Sequence, residues 1–370
     1  MPGKERQTSI HEVPDALLAR CMGLLPETDR HSGSLQDLEL GFDLACESEQ
    51  ALEEAAALVN ACLAAGGAGG ALRRLKFWTS DLPYAQGPAF TLGDWAPCLT
   101  SLQRLEVGCR RNVRLLCAMQ GLSQLQSLEL TVRQIVLGPG VGLPPSLTRL
   151  VFVCSGNPVE SLHHLQVGNL SRLRSLSLSG RQGADELDSP PVGGLSGLRS
   201  LQHLSLTDCT LGGWLPAAAG HWTCLQVLEI SQPIGEVAVS LQQALQALTG
   251  LTGLFLEDYT QPLPQAAARL GRLRWLYWHS WGWCRGPQAA LQPGPWQRSL
   301  RCCVLEFHVA MANAAFLEGC PQLERISFAN PPYCSSAASG LWDALWAWAA
   351  AAPWLRCLDF MASDDPGSER

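Results

Sequence analysis

The sequence predicts an α/β fold of short parallel strands stacked side by side, with the returning segments crossing on the opposite side. Three observations predict it. The hexapeptide pattern L-x-x-L-x-L recurs thirteen times between Leu35 and Phe360. Its first positions are Leu35, Leu72, Leu102, Leu125, Leu147, Leu173, Leu201, Leu225, Leu251, Leu273, Cys302, Leu323 and Leu355. Its last two apolar positions alternate with polar ones, as in Leu204-Ser205-Leu206, which is the period of a strand with one buried face. The starts lie 21 to 37 residues apart, room for one strand and one return. A lone strand of this kind cannot bury its leucines. Stacked copies can, and parallel neighbours require a crossover in each repeat.

On these residues the chain resembles the leucine-rich repeat family over nearly nine tenths of its length. The resemblance implies a solenoid with a curved parallel sheet on the concave side and mixed helices and turns on the convex side. The family usually places Asn or Cys three residues after the strand. Here Cys209 stands there, whereas other repeats hold Ser80, Arg110, Arg133, Pro233, Tyr259 or Trp281, so uneven turns and irregular curvature are expected. A solenoid core grows linearly with repeat number, so residues 35–362 are expected to form one elongated domain of about 13 repeats.

Flanking and returning segments follow from local signals. Residues 1–34 are read as a disordered start plus one helix, and 363–370 as a disordered tail. In the helix at 13–26, Pro14 suits the first turn, Pro26 stops it, and Leu17, Leu18, Cys21, Met22 and Leu25 share a face. Pro14-Asp15, the Leu17-Leu18 pair and Leu25-Pro26 resemble the first helix of an F-box. That resemblance implies a ubiquitin-ligase adaptor docked on Pro14, Leu17, Leu18 and Leu25, with the repeats choosing the substrate. The same face also suits a cap over the first repeat's leucines. Residues 48–65 read as a helix capped by Ser48 and closed by Gly66-Gly67. Residues 337–352, rich in Ala and Trp, read as another. The prolines of 138–145 exclude helix there, and Leu215-Pro216 and Leu263-Pro264 point to short turns or 3₁₀ pieces in the middle repeats.

Composition narrows the function. The net charge of −7 opposes binding to a phosphate backbone, so no nucleic-acid partner is expected. No apolar run reaches membrane-spanning length, and residues 1–10 carry no apolar leader core. A cytoplasmic location is expected, with the nucleus or the cytoskeleton as alternatives. The fifteen cysteines are odd in number, form no C-x-x-C, and fall at irregular spacings, which fits buried thiols rather than a disulfide framework. Gly66 to Gly70 follows a helix and precedes a strand, the reverse of a phosphate loop. His163-His164 has no metal-ligand spacing to Cys or Asp. No catalytic residue, cofactor or metal is expected.

The third, fifth and seventh motif positions alternate away from the core, toward the concave face. The fifth-position column reads Glu39, Lys76, Glu106, Glu129, Val151, Ser177, Ser205, Glu229, Phe255, Tyr277, Glu306, Ser327 and Asp359. Such an acidic stripe would be relieved by a cationic ligand. Toward the C-terminus the same face presents Phe255, Glu257, Trp275, Tyr277, His279, Glu306 and His308, unless the loop 282–298 folds over them. Exposed rings on a strand are good anchors for a partner. Their acidic neighbours favour a basic segment, and the two histidines would make that preference pH-dependent near neutrality. The expected function is therefore protein recognition without catalysis, as a substrate receptor of an F-box ubiquitin ligase. The alternative is a structural scaffold, for example on the cytoskeleton. Alkylation of the native protein followed by mass spectrometry is expected to find every cysteine as a free thiol. One stoichiometric bridge in cytosol-derived material would refute the buried-thiol assignment.

Overall fold

The computed structural model of the chain describes residues 36–42, 72–79, 90–92, 99–115, 119–137, 142–154, 165–180, 195–234, 237–279, 291–306, 317, 319–329, 339–352 and 354–361. The expected helices at 13–26 and 48–65, both chain ends, Leu35, His163-His164, Trp281, Trp283 and His308 lie outside them. The chain divides into two compact units, Met1–Leu187 and Asp188–Arg370.

The first unit contains β1 (Asp37–Phe42), β2 (Arg74–Thr79), β3 (Phe90–Leu92), β4 (Arg104–Leu115), β5 (Ser127–Leu137), β6 (Arg149–Cys154) and β7 (Ser175–Ser179). Its strands pair in the order β1-β2-β4-β5-β6-β7, all parallel, and β3 joins the far end of β4. The register matches equivalent leucines, Leu38 to Leu75, Leu105, Leu128, Leu150 and Leu176. All six are buried.

The second unit contains β8 (His203–Thr207), α1 (Trp214–Ala219), β9 (Val227–Ser231), α2 (Val237–Ala247), β10 (Gly253–Glu257), β11 (Trp275–His279), β12 (Cys302–Glu306), β13 (Arg325–Ala329), α3 (Ser339–Ala351) and β14 (Cys357–Met361). Its strands pair in chain order and all parallel. The buried ladder runs Leu204, Leu228, Leu254, Leu276, Cys303 and Ile326. On β14 the equivalent Leu358 and Phe360 are only half-buried, and Phe360 rests against Phe328 and the exposed Trp346 of α3. Each unit is thus built of leucine-rich repeats, one strand per repeat and one apolar ladder through the stack.

A backbone device recurs with the ladder. Within each unit, the carbonyl of a second motif residue accepts the amides of the second and third residues of the next repeat. Gln126 O, for example, takes Thr148 N at 2.9 Å and Arg149 N at 3.0 Å. Gln226 O takes Thr252 N at 2.7 Å and Gly253 N at 2.9 Å. This device corrects one expected repeat. Arg274 O takes Arg301 N and Cys302 N, so Arg301 is a second-position residue and the repeat starts at Leu300, not Cys302. The register agrees, pairing Leu276 with Cys303 and Tyr277 with Val304. Cys303 is fully buried while Cys302 faces outward. A small apolar thiol fills the site where a leucine was required by the pattern, and that shifted the sequence alignment by two residues.

The returning segments differ from expectation in two repeats. Residues 237–247 form an α-helix, because Val237, Ser240, Leu241, Ala244 and Leu245 recur at helical spacing on its buried side. Pro216 sits in the first turn of α1, where its missing amide has no helical partner to lose. Leu263-Pro264 does precede a 3₁₀ turn, Gln265–Arg269, and α3 covers the expected C-terminal helix. Turns after the strands are also more alike than expected. Asp208, Gln232 and Asp258 follow β8, β9 and β10 with φ of 52°, 49° and 53°. Each adopts the left-handed conformation that polar residues tolerate best after glycine. The three turns share this backbone conformation one residue before Cys209, Pro233 and Tyr259, and at Cys209 the thiol also donates to Thr207 O at 3.2 Å, as expected of that position.

Cys154, Cys209, Cys224, Cys302, Cys303, Cys320 and Cys357 are free thiols. Burial pushes the Cys320 thiol up to about 12 and raises Cys303 as well, so neither is a ready thiolate. In denaturant titration, Leu204→Ala is expected to cost about 2–5 kcal/mol through cavity formation. Cys303→Ser is expected to cost at least about 1 kcal/mol by burying a hydroxyl, and Cys302→Ser less than about 0.5 kcal/mol. Equal costs at the two cysteines would return the repeat to its other phase.

Candidate recognition face

Core burial of the ladder sends the third, fifth and seventh positions to the open face of each sheet, the face expected to be concave. In the second unit, Phe255 and Tyr277 are cross-strand neighbours on β10 and β11, as are Gly253 and Trp275. The Phe255 and Tyr277 rings stack with centroids 6.3 Å apart and planes inclined by 27°. His279 tilts against Tyr277 at 6.1 Å. Trp275 is 41% exposed, Phe255 and Tyr277 are half-buried, and His279 is only 4% exposed. The structure therefore brings together Phe255, Glu257, Trp275, Tyr277 and His279.

Three expected members stand differently, His279 among them, since it is buried rather than displayed. Glu306 occupies the seventh position of β12, not the fifth, and is buried rather than displayed. Val304 takes its place beside Tyr277. His308 and the adaptor residues Pro14, Leu17, Leu18 and Leu25 lie outside the described residues.

Sequence reasoning missed several neighbours. Glu257 Oε2 accepts a hydrogen bond from Ser231 Oγ at 2.8 Å, which orients the carboxylate. Asp258 Oδ2 accepts one from Gln232 Nε2 at 3.0 Å. Both carboxylates act on the rings. Burial raises the Tyr277 phenol, and the charges of Glu257 and Asp258 add to the rise. Burial also raises Asp208, with Asp258 contributing. Trp278 replaces a leucine of the ladder and donates its Nε1 to Tyr259 O at 3.3 Å, tying β11 to the turn after β10. The signal for Ser231 and Asp258 was available, since both sit one register step from Glu257. Pairing them needed the observed side-chain rotamers.

The acidic column of the first unit carries its own cations. Lys76 Nζ lies 2.6 Å from Glu39 Oε1. Their hydrogen bond is the main reason that Glu39 is held below and Lys76 above the ordinary value. Arg104 pairs with Glu106, and Arg74 lies 3.7 Å from Asp37. The fifth-position stripe is thus relieved by its own Lys76 and by the third-position Arg104. This unit also displays Trp78, 42% exposed, between Gly41 and Gly108 on the neighbouring strands. In the second unit His203 lies 3.2 Å from Glu229, whose carboxyl is held down chiefly by that hydrogen bond.

Among the described residues no group of three or more His, Cys, Asp or Glu is placed to hold a metal ion, and no helix is long and apolar enough to cross a membrane. No protein-family model matches the chain, and no curated protein matches its sequence. Solved structures do resemble it. A leucine-rich-repeat protein of Leptospira interrogans is 16% identical over 91% of this chain and 82% of its own, with a TM-score of 0.42. The Toll–Spatzle complex of Drosophila, described as a hub in development and innate immunity, is 14% identical over 80% of this chain and 41% of that one, with a TM-score of 0.44. The repeat assignment rests on the register and burial of this chain.

Burial lowers the His279 imidazole below its ordinary value, while Asp258 and Glu257 oppose the shift. Its titration therefore falls on the acid side of the expected near-neutral range. Between its lowered value and about 6.5 the unfolded chain binds the proton and the folded chain does not, so acidification through that window destabilises the fold. Thermal melting as a function of pH is expected to show this loss, and His279→Gln to flatten it. An unchanged profile in the variant would exclude His279 as a source.

Proposed function

We infer that the chain is a non-catalytic protein-recognition module that binds a protein partner on the open face of its second unit. The observation that carries the reading is the ring ledge of Phe255, Trp275 and Tyr277, displayed on paired strands. Rings fixed by a sheet lose little entropy when a partner covers them, and exposed indole and phenol groups are the usual anchors of such contacts. The partner is a protein, in a cytoplasmic setting.

The narrower reading is a substrate receptor of an F-box ubiquitin ligase. It is supported by the resemblance of residues 13–26 to an F-box helix, with Pro14, Leu17, Leu18 and Leu25 as the adaptor contacts. One affinity purification tests both levels. Tyr277→Ala is expected to weaken capture of the substrate-like partner by about 2 kcal/mol or more, with folding intact. Deleting residues 1–30 is expected to release the adaptor alone. Equal capture by wild type and Tyr277→Ala refutes the face as the site, and no adaptor with the full chain refutes the ligase role.

A further inference from the structure

The open faces of the two units differ in how their carboxylates are matched. In the first, Lys76, Arg104 and Arg74 lie on Glu39, Glu106 and Asp37. In the second, the displayed carboxylates at the fifth and seventh positions of β8 to β14 are Glu229, Glu257 and Asp359, and these positions hold no Lys or Arg. Its third positions supply His203, already on Glu229, and Arg325 on β13. Arg325 is two strands from Trp275, about 10 Å at the spacing of parallel strands. At the fifth and seventh positions around the ring ledge, then, the charge beside the aromatic faces is negative, while the second-position Arg274 and Arg301 stand exposed just before β11 and β12.

We propose that this ledge takes the guanidinium of an arginine, presented by an extended segment of the protein partner. The proposal rests on the recognition role above and specifies what is recognised. Phe255 and Tyr277 stack with planes inclined by only 27°, so an outward ring face of the pair offers a planar guanidinium a surface to lie against. Glu257 follows Phe255 by two residues on the same face, and its orientation is fixed by Ser231. A fork of N–H donors fits that carboxylate, whereas an ammonium offers a point charge.

Gly253 gives the ledge its shape. A Cβ there would stand 3.0 Å from Phe255 Cε2, so the ring lies back over the glycine. Gly253 is also the register partner of Trp275, so the strand beside the indole carries no side chain at that position. The effect of Glu257 and Asp258 on the Tyr277 phenol shows that their negative potential reaches the ring edge.

The test uses the full chain and acetylated, amidated Gly-Ser-X-Ser-Gly peptides with X as arginine, lysine or citrulline, titrated by ligand-observed NMR. The arginine peptide is expected to bind about threefold tighter than lysine and about tenfold tighter than citrulline, which keeps the shape but loses the charge. Tyr277→Ala and Glu257→Gln are each expected to weaken the arginine peptide about tenfold, and Glu39→Gln to leave it unchanged. Gly253→Ala, which displaces the Phe255 ring, is expected to lower the arginine-to-citrulline ratio. Equal binding of arginine and citrulline, or no binding of the arginine peptide at millimolar concentration, overturns the proposal. If Tyr277→Ala still abolishes capture of the partner in that case, the recognition face stands with a different ligand.

Discussion

The paired amides on one carbonyl per repeat are the constraint on which the rest of each unit depends. Gln126 O, Gln226 O and Arg274 O each hold two successive amides of the next repeat. This fixes the register before any side chain is considered. Because strand side chains alternate, a slip of one residue would turn every leucine outward. The same bonds therefore decide that Leu228, Leu254 and Leu276 are interior and that Glu229, Phe255 and Tyr277 are displayed. A binding face and a core are two readings of one alignment.

That alignment also explains what was legible in the chain and what was not. The leucine ladder was readable because burying a branched apolar side chain at a fixed period leaves a fixed mark in sequence. The aromatic neighbours Phe255 and Tyr277 followed from it without further information. The repeat at Leu300 was misread, since Cys303 satisfies the same buried volume requirement with a different letter. Glu306 went to the wrong column for that reason alone. The likeness of the three turns after β8, β9 and β10 was not legible, because it lies in the backbone at Asp208, Gln232 and Asp258, for which the polar side chain is a weak signal. Helix α2 was missed because prolines of neighbouring repeats were allowed to speak for it, although 237–247 contains none. Partners such as Ser231 for Glu257 depend on rotamers, which no spacing encodes.

The units use one scaffold for opposite electrostatic ends. Lys76 and Arg104 make the first open face a set of local pairs, exposed to solvent and each worth little in stability. In the second, apolar and aromatic residues stand where those cations would be: Phe255, Tyr277 and Val304 at the fifth position of Lys76, and Val227, Gly253, Trp275 and Cys302 at the third position of Arg104. Replacing a charge by a ring on a strand costs solvation and gains contact area. The exchange is consistent with one face tuned to remain in water and another to meet a partner.

The half-buried state of Leu358 and Phe360 has a consequence for dynamics. In a linear array each repeat is stabilised by the neighbours on either side, so the free energy of opening varies along the stack. β14 pairs with β13, and its ladder residues remain half in solvent, so it is the seat of fraying in the second unit. Opening there passes inward one repeat at a time, through β13 and β12, before it reaches β11. The ring ledge thus sits behind two sacrificial layers. The difference between amide exchange at the C-terminal strand and at Tyr277 measures the cost of opening the strands between them.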